Sequence, residues 1–439
     1  MAHLFPFQAY RYSSAVAGDP ALAVTQPYDK ISPEMRKEYY RRSLYNVVRL
    51  TKGLEQLDNP DTNYPEAARA LQAWIDQGAL VQDALPSIYA YYLQYDFEGE
   101  HLLRKGFVSL LDLLRSAAGV LPHEGTLASS KLDRLRLLRS TECNEDMIFM
   151  IYTEDKLKVN RILEEATSRR APELKVKDEF GVVHRLWSLS DPKTIRQIQD
   201  AMVPEELFIA DGHHRYEAAL GYKKECEALG WKPACAESFH HRVVACFNSA
   251  DGGITILPTH RVIVNVPGFD RRAFLGAAEK YFEAESCPNA SELWQRMETS
   301  RDSSHAFGFY TKGKFTLLRL RRESAVVPLM MAHAEAYRKL DVSILHHVIL
   351  ARLLGIREDL AAEQDQVEFA REREACVHRV DAGAARAAFF LNPTTVEQVQ
   401  RIALLGERMP LRSTDFYPKL LSGLAFMKMR IVKPANQQS

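Results

Sequence analysis

One stretch limits the fold more than any other, ELFIADGHHRYEAAL at residues 206–220. The apolar run Leu207 to Ala210 reads as a buried strand, Gly212 as a tight turn, and Tyr216, Ala219 and Leu220 as one face of a helix. A strand that passes through a single glycine into a helix calls for a layered fold of α and β elements. The same order gathers two imidazoles, a guanidinium and the unpartnered N–H groups of a helix start around one point, which makes an anion site.

Each residue type there has a chemical reason. Gly212 lets the backbone approach closely, Arg215 offers a forked donor, and His213 and His214 supply protons or charge near neutral pH. Asp211 is the exception, because a carboxylate beside an anion is repelled unless it binds a cation, takes a proton or orients a histidine. The competing reading is structural: polar residues at such a junction serve as caps, and adjacent histidines as a solvated turn.

The remaining composition is that of an ordinary globular chain. The 439 residues are 46% hydrophobic and 26% charged, enough for a large core and two or three domains. Lys+Arg and Asp+Glu both number 57, so net charge gives no footprint for nucleic acid or an anionic membrane. No apolar run is long enough to span a bilayer, and MAHLFPFQAYRYSS lacks the order of a signal peptide, so the expected location is the cytoplasm. The six cysteines form no CxxC pair and read as reduced, mostly buried thiols.

Along the chain, a helix is expected over Tyr64 to Leu80, strands at Ser87 to Tyr95 and Lys105 to Leu111, and a charged helix start at Lys131 to Arg139. MIFMIY at 147–152 reads as a buried strand, with helices at Asp155 to Arg169 and Asp191 to Met202 around a hairpin turning at Phe180-Gly181. His241 to Asn248 and Ile254 to Leu257 read as strands joined by SADGG. Beyond Pro267 come two helices, a hairpin turning at Lys312-Gly313, helices over Met331 to Leu354, the segment AAFFLN and a helix at Val396 to Leu405. These place an α/β to α+β domain with a mixed sheet at 1–267 and a smaller α+β domain at 268–439.

Several blocks carry a resemblance: IADGHHRYEAAL, QPYDKISPE, LYNVVRL, PHEGT followed by KLDRLRLLR, LPTHRV, LDVSILHH and the terminal MP..STDFYPKLLSGL. In this order they resemble the bacterial and archaeal family known as domain of unknown function 1015, over nearly the whole chain. Leu411-Arg412 departs from the Gln-Lys expected in the last block. Over about 40 residues, the D-G-H-H-R turn also resembles the phosphate-binding loop of the ParB and sulfiredoxin-like superfamily, which includes free-serine kinases.

That second resemblance implies ATP or ADP phosphates on the loop, with Mg2+, and a carboxylate that activates a substrate hydroxyl. On this reading Gly212, His213, His214 and Arg215 cradle phosphates, while Asp211 holds Mg2+ or acts as a base. Glu124 of PHEGT is the second carboxylate, and His123 and Thr126 line the same pocket; a capped loop explains that block equally well. Arg134 can reach an anion or simply pair with Asp133, and His260 and Arg261 can close over the site or finish a sheet edge. His346-His347 and His240-His241 read as structural; turn chemistry accounts for Pro27-Tyr28-Asp29 and Tyr45-Asn46, which are substrate contacts if the family resemblance holds, and Ser413-Thr414 with Tyr417-Pro418-Lys419 combine hydroxyls with a cation, which suits a second anion contact.

Three function classes follow. The first is a phosphotransferase moving a phosphoryl group from a nucleotide to a small hydroxyl-bearing, serine-like metabolite; the second is a nucleotide-binding regulatory protein without transfer. The third is a metal-dependent hydrolase using Asp211, His213, His214, His123 and Glu124, although no HExxH-type spacing is present. The expected partners are a nucleotide and a small-molecule substrate, with neither nucleic acid nor membrane, and the oligomeric state is left open.

Overall fold

The computed structural model describes residues 1–53, 60–301, 303–356 and 365–434, without the side chains of residues 60–62. They form two compact units. The first comprises Met1–Pro122, Thr126–Ile254 and Pro418–Ser439, and the second His123–Gly125 and Thr255–Tyr417.

The first unit is built on a nine-stranded mixed sheet. Its strands run in the order Val120–Leu121, Leu207–Asp211, Ile148–Tyr152, His241–Asn248, Glu100–Asp112, Ile88–Phe97, Val183–Leu189 and Leu174–Lys177, and Leu4–Phe5 pairs off this path with Glu100–Asp112. Leu207–Asp211 lies parallel to Val120–Leu121 and antiparallel to Ile148–Tyr152, which is itself parallel to His241–Asn248. The other neighbours are antiparallel.

The central strands explain their own position. Ile148–Tyr152 and Leu207–Ala210 are apolar throughout and buried on both faces, as a strand between two layers must be. Ile148, Met150, Leu207, Ile209, Val244 and Cys246 pack with Val159, Leu163, Ile198 and Met202 from the helices Lys158–Thr167 and Pro192–Met202. Pro192 occupies the first turn of its helix and Asp191 caps it by accepting from the Thr194 N–H, a start signal visible in the sequence. The expected turn at Phe180-Gly181 is present: Asp178 Oδ1 accepts from the N–H groups of Phe180 and Val182, and Gly181 takes a φ of +84°.

The second unit holds a six-stranded antiparallel sheet in the order Phe282–Cys287, Lys314–Leu320, Ala306–Thr311, Ala387–Phe390, His260–Ile263 and Val367–Ala370. Leu293 and Met297 of the helix Ala290–Ser300 pack there with Val262, Leu317 and Phe390. Its hairpin turns at Lys312-Gly313, between paired Thr311 and Lys314.

Two features differ from the sequence expectation. The units divide between Ile254 and Thr255 rather than at 267, and His241–Asn248 and Thr255–Leu257 lie in separate sheets. The last stretch of chain also belongs to the first unit. Leu420, Leu421, Leu424 and Phe426 are buried there, Met427–Lys428 pairs with Cys143–Asn144, and Ile431–Val432 pairs with Lys232–Pro233.

Candidate functional site

The signature turn sits where the sequence places it, at the end of the strand Leu207–Asp211 and the start of the helix His213–Ala228. Strand pairing with Ile148–Tyr152 shifts register between Ile209 and Asp211, an irregularity that re-aims the Asp211 side chain just before the turn. Gly212 follows with a φ of +100°, a left-handed conformation costly for other residues. A Cβ on Gly212 would also lie 2.9 Å from Arg215 Nε, so glycine is required on two grounds.

Asp211 is held by two cations. Lys419 Nζ donates to its Oδ1 at 2.6 Å and Arg215 Nη2 to its Oδ2 at 2.5 Å. Burial alone would raise this carboxyl, but Lys419 and then Arg215 outweigh it and hold the group well below the usual carboxylate range. It is therefore a stable anion and a weak base.

Arg215 is 5% exposed and is an anchor of the turn. Besides Asp211 it donates through Nη1 to the Met147 carbonyl at 2.8 Å and to Asp146 Oδ2 at 3.3 Å. The other Asp146 oxygen pairs with Arg242, so two buried cations share one buried carboxylate. His214 accepts the Leu127 N–H through Nε2 at 2.9 Å, directly before the helix Ala128–Thr141. Burial lowers its pKa, a neutral imidazole being the form that accepts through Nε2. His213 is buried at the first helical position.

The other expected residues fall into two groups. In the first unit, Thr126 donates to Glu217 Oε2 at 2.6 Å. Arg134 is 6% exposed, pairs with Asp133, donates to the Thr51 carbonyl at 3.0 Å and stacks over the Tyr28 ring at 3.9 Å. The remaining four belong to the second unit. His123 Nε2 lies 2.9 Å from Thr414 Oγ1, and Glu124 accepts the Arg412 N–H. His260 is fully buried, and burial pushes its pKa down to about 3; Arg261 donates to the Thr259 and Leu411 carbonyls.

Sequence reasoning passed over Glu145, Asp146 and Arg242, although two consecutive acids just before the apolar run MIFMIY are an unusual pairing. It reached Tyr28 and Asp29 only through the family resemblance, and Lys419 as a cation beside hydroxyls suited to a second anion contact. Charges from these segments meet at the turn: Asp29 acts on both His214 and Arg215, and Lys419 and the adjacent Lys30 on Asp211.

The described residues contain no group of three or more His, Cys, Asp or Glu side chains able to hold a metal ion. Both Asp211 oxygens already accept from cations, so the residues present do not form a ready Mg2+ site. No helix among the described residues is long and apolar enough to cross a membrane.

The profile of the family described as "Protein of unknown function (DUF1015)" matches residues 4–343. The chain belongs to this family. No curated protein matches the sequence. Among solved structures, a free serine kinase in complex with AMP is similar at 10% identity with a TM-score of 0.35, over 68% of this chain and 84% of that one. SbnI with a C-terminal truncation, from Staphylococcus aureus, is similar at 11% identity with a TM-score of 0.34, over 72% and 85%. A conserved hypothetical protein from Pyrococcus furiosus gives 11%, 0.34, 72% and 92%. At these scores the likenesses establish no activity for this family member.

Proposed function

We propose that the chain is a nucleotide-dependent phosphotransferase, a kinase for a small hydroxyl-bearing, serine-like metabolite. The observation that carries this reading is the Gly212 turn, where a helix start and the Lys419 ammonium meet beside a carboxylate that remains ionised. Phosphate oxygens suit that environment, because helix-start N–H groups and a fixed cation answer negative charge without reorganising. The resemblance of D-G-H-H-R to the phosphate loop of a superfamily that includes free-serine kinases supports it further.

Within this reading the residues divide the work. The first-turn N–H groups and Lys419 meet the phosphates, while Arg215, already committed to Asp211, Asp146 and the Met147 carbonyl, keeps the turn in shape. Asp211 holds Lys419 and Arg215 in register. His214 ties the turn to the start of the next helix through Leu127. Mg2+ has no prepared ligand set, so no step is assigned to it.

One observation favours a second reading, a nucleotide-binding regulator without transfer: the Asp211 carboxylate is fully answered and is a poor proton acceptor. The two separate by experiment. Thermal shifts with ATP, ADP, CTP and GTP, with and without Mg2+, should show stabilisation by at least one nucleotide, followed by phosphorylated product from hydroxy amino acids. Stabilisation without product supports the regulator, and no response to any nucleotide removes both readings.

A further inference from the structure

A buried carboxylate lies in the connection that Arg215 ties to the turn. Glu145 sits in the short connection between Cys143–Asn144 and Ile148–Tyr152, next to Asp146. That connection abuts the turn, because Arg215 donates both to Asp146 and to the Met147 carbonyl. The Glu145 carbonyl accepts the Gly423 N–H at 2.9 Å, four residues beyond the lysine that holds Asp211. Three segments, 145–147, 211–215 and 419–423, therefore converge on one place.

Glu145 is 5% exposed, and its carboxylate accepts from its own backbone N–H, while no side-chain hydrogen bond or ion pair joins it to another described residue. A buried carboxylate answered by one backbone N–H is costly in its ionised form, so it holds a proton more readily than usual or is completed by a ligand. Its neighbours are all satisfied. Asp211 is held by Lys419 and Arg215, Asp146 by Arg215 and Arg242, and Asp133 by Arg134 and Tyr64, while Asp29 is exposed to water.

We infer that Glu145 is the proton acceptor of the phosphoryl-transfer site, taking the hydroxyl proton of the acceptor molecule. This rests on the phosphotransferase reading and adds the residue that the turn itself lacks. The acceptor oxygen forms a bond to the terminal phosphorus of a nucleoside di- or triphosphate as the bridging P–O bond breaks. The electron pair of that bond leaves with the shortened nucleotide, and the hydroxyl proton passes to a Glu145 oxygen. Burial, and after it the neighbouring Asp146, push the Glu145 carboxyl up to about 7, against the opposing pull of Arg242 and Arg134, so both protonation states are accessible near neutral pH.

The test compares the full-length wild type with Glu145→Gln and Asp29→Asn. Affinity for ATP and ADP is measured by titration calorimetry, and product with serine, threonine, homoserine, glycerate and water as acceptors. Glu145→Gln should keep nucleotide affinity within about threefold and lose at least about a hundredfold in turnover, the range of a lost general base. Glu145→Asp should recover part of that turnover with a displaced acidic limb in its pH profile, which a merely structural role would not give. Turnover of Glu145→Gln within threefold of wild type, or the same loss appearing in Asp29→Asn instead, overturns the proposal. A wild type that binds nucleotide but transfers to none of these acceptors also overturns it and leaves the nucleotide site standing. A wild type that binds no nucleotide fails at the calorimetric step, which marks the failure as that of the phosphotransferase reading itself.

Discussion

Asp211 stands between Lys419 and Arg215, and removing one cation would leave a largely buried charge half answered. Lys419→Met should cost about 3 kcal/mol, the scale for breaking a buried pair from one side, as measured by urea unfolding at pH 7. The pH dependence follows from the direction of the Asp211 shift. A carboxyl held low in the folded state adds stability above its unfolded value of about 3.9, and that stability is lost as pH falls toward the folded value. The difference between wild type and Lys419→Met should therefore be largest near neutrality and shrink below pH of about 4. Glu145 has the opposite sign. Its folded carboxyl is raised from 4.5 to about 7, so the folded state holds the proton more tightly and wild type loses stability relative to Glu145→Gln as pH rises through that window. Urea unfolding of both proteins at pH 4 and pH 8 checks this; equal differences at the two values would contradict it.

At the scale of elements, the strand, turn and helix of residues 207–228 were legible because every local signal agrees: an apolar run, one glycine, then helical spacing. Gly212→Ala should destabilise by about 1 to 3 kcal/mol, from the left-handed φ and the crowding of Arg215 together, with circular dichroism melts as the measure. What escaped the sequence is pairing at long range. Nothing local tells that Lys419 reaches Asp211 across 208 positions, or that the Leu127 N–H finds His214. Short strands also escaped: Phe282–Cys287 alternates too weakly to announce itself, and its burial comes from pairing with Lys314–Leu320. The helices expected over Met331 to Leu354 are Glu335–Arg338, Asp341–Ile344 and, less foreseeably, a π-helical stretch at Leu345–Leu353. Residue spacing does not distinguish an i→i+5 ladder from an i→i+4 one over so short a run.

At the scale of the molecule, the α+β class and the mixed sheet could be read from the order of elements, but the domain limits could not. The chain leaves the first unit near residue 254 and re-enters it at 418, and a linear reading has no signal for a return. The physical cause is the apolar run Leu420 to Met429, which finds its burial in the first unit. Deleting residues 418–439 should therefore unfold the first unit, which contains Trp74, Trp187 and Trp231, with a red-shifted tryptophan emission and a lost thermal transition. A truncated chain that kept both native emission and that transition would show the return to be dispensable. The site was legible in part for the same reason: the turn is local, whereas Glu145, Asp146, Arg242 and Lys419 become neighbours only through the sheet and the returning tail.

The most direct test of the account is calorimetric titration of the full-length protein with ATP and with ADP, each repeated in the presence of pyrophosphate. Saturable binding of at least one nucleotide is expected, competed by pyrophosphate and lost in Lys419→Met that remains folded. No saturable binding of either nucleotide at millimolar concentration, or binding indifferent to pyrophosphate and to Lys419, would contradict the claim that the Gly212 turn receives phosphate.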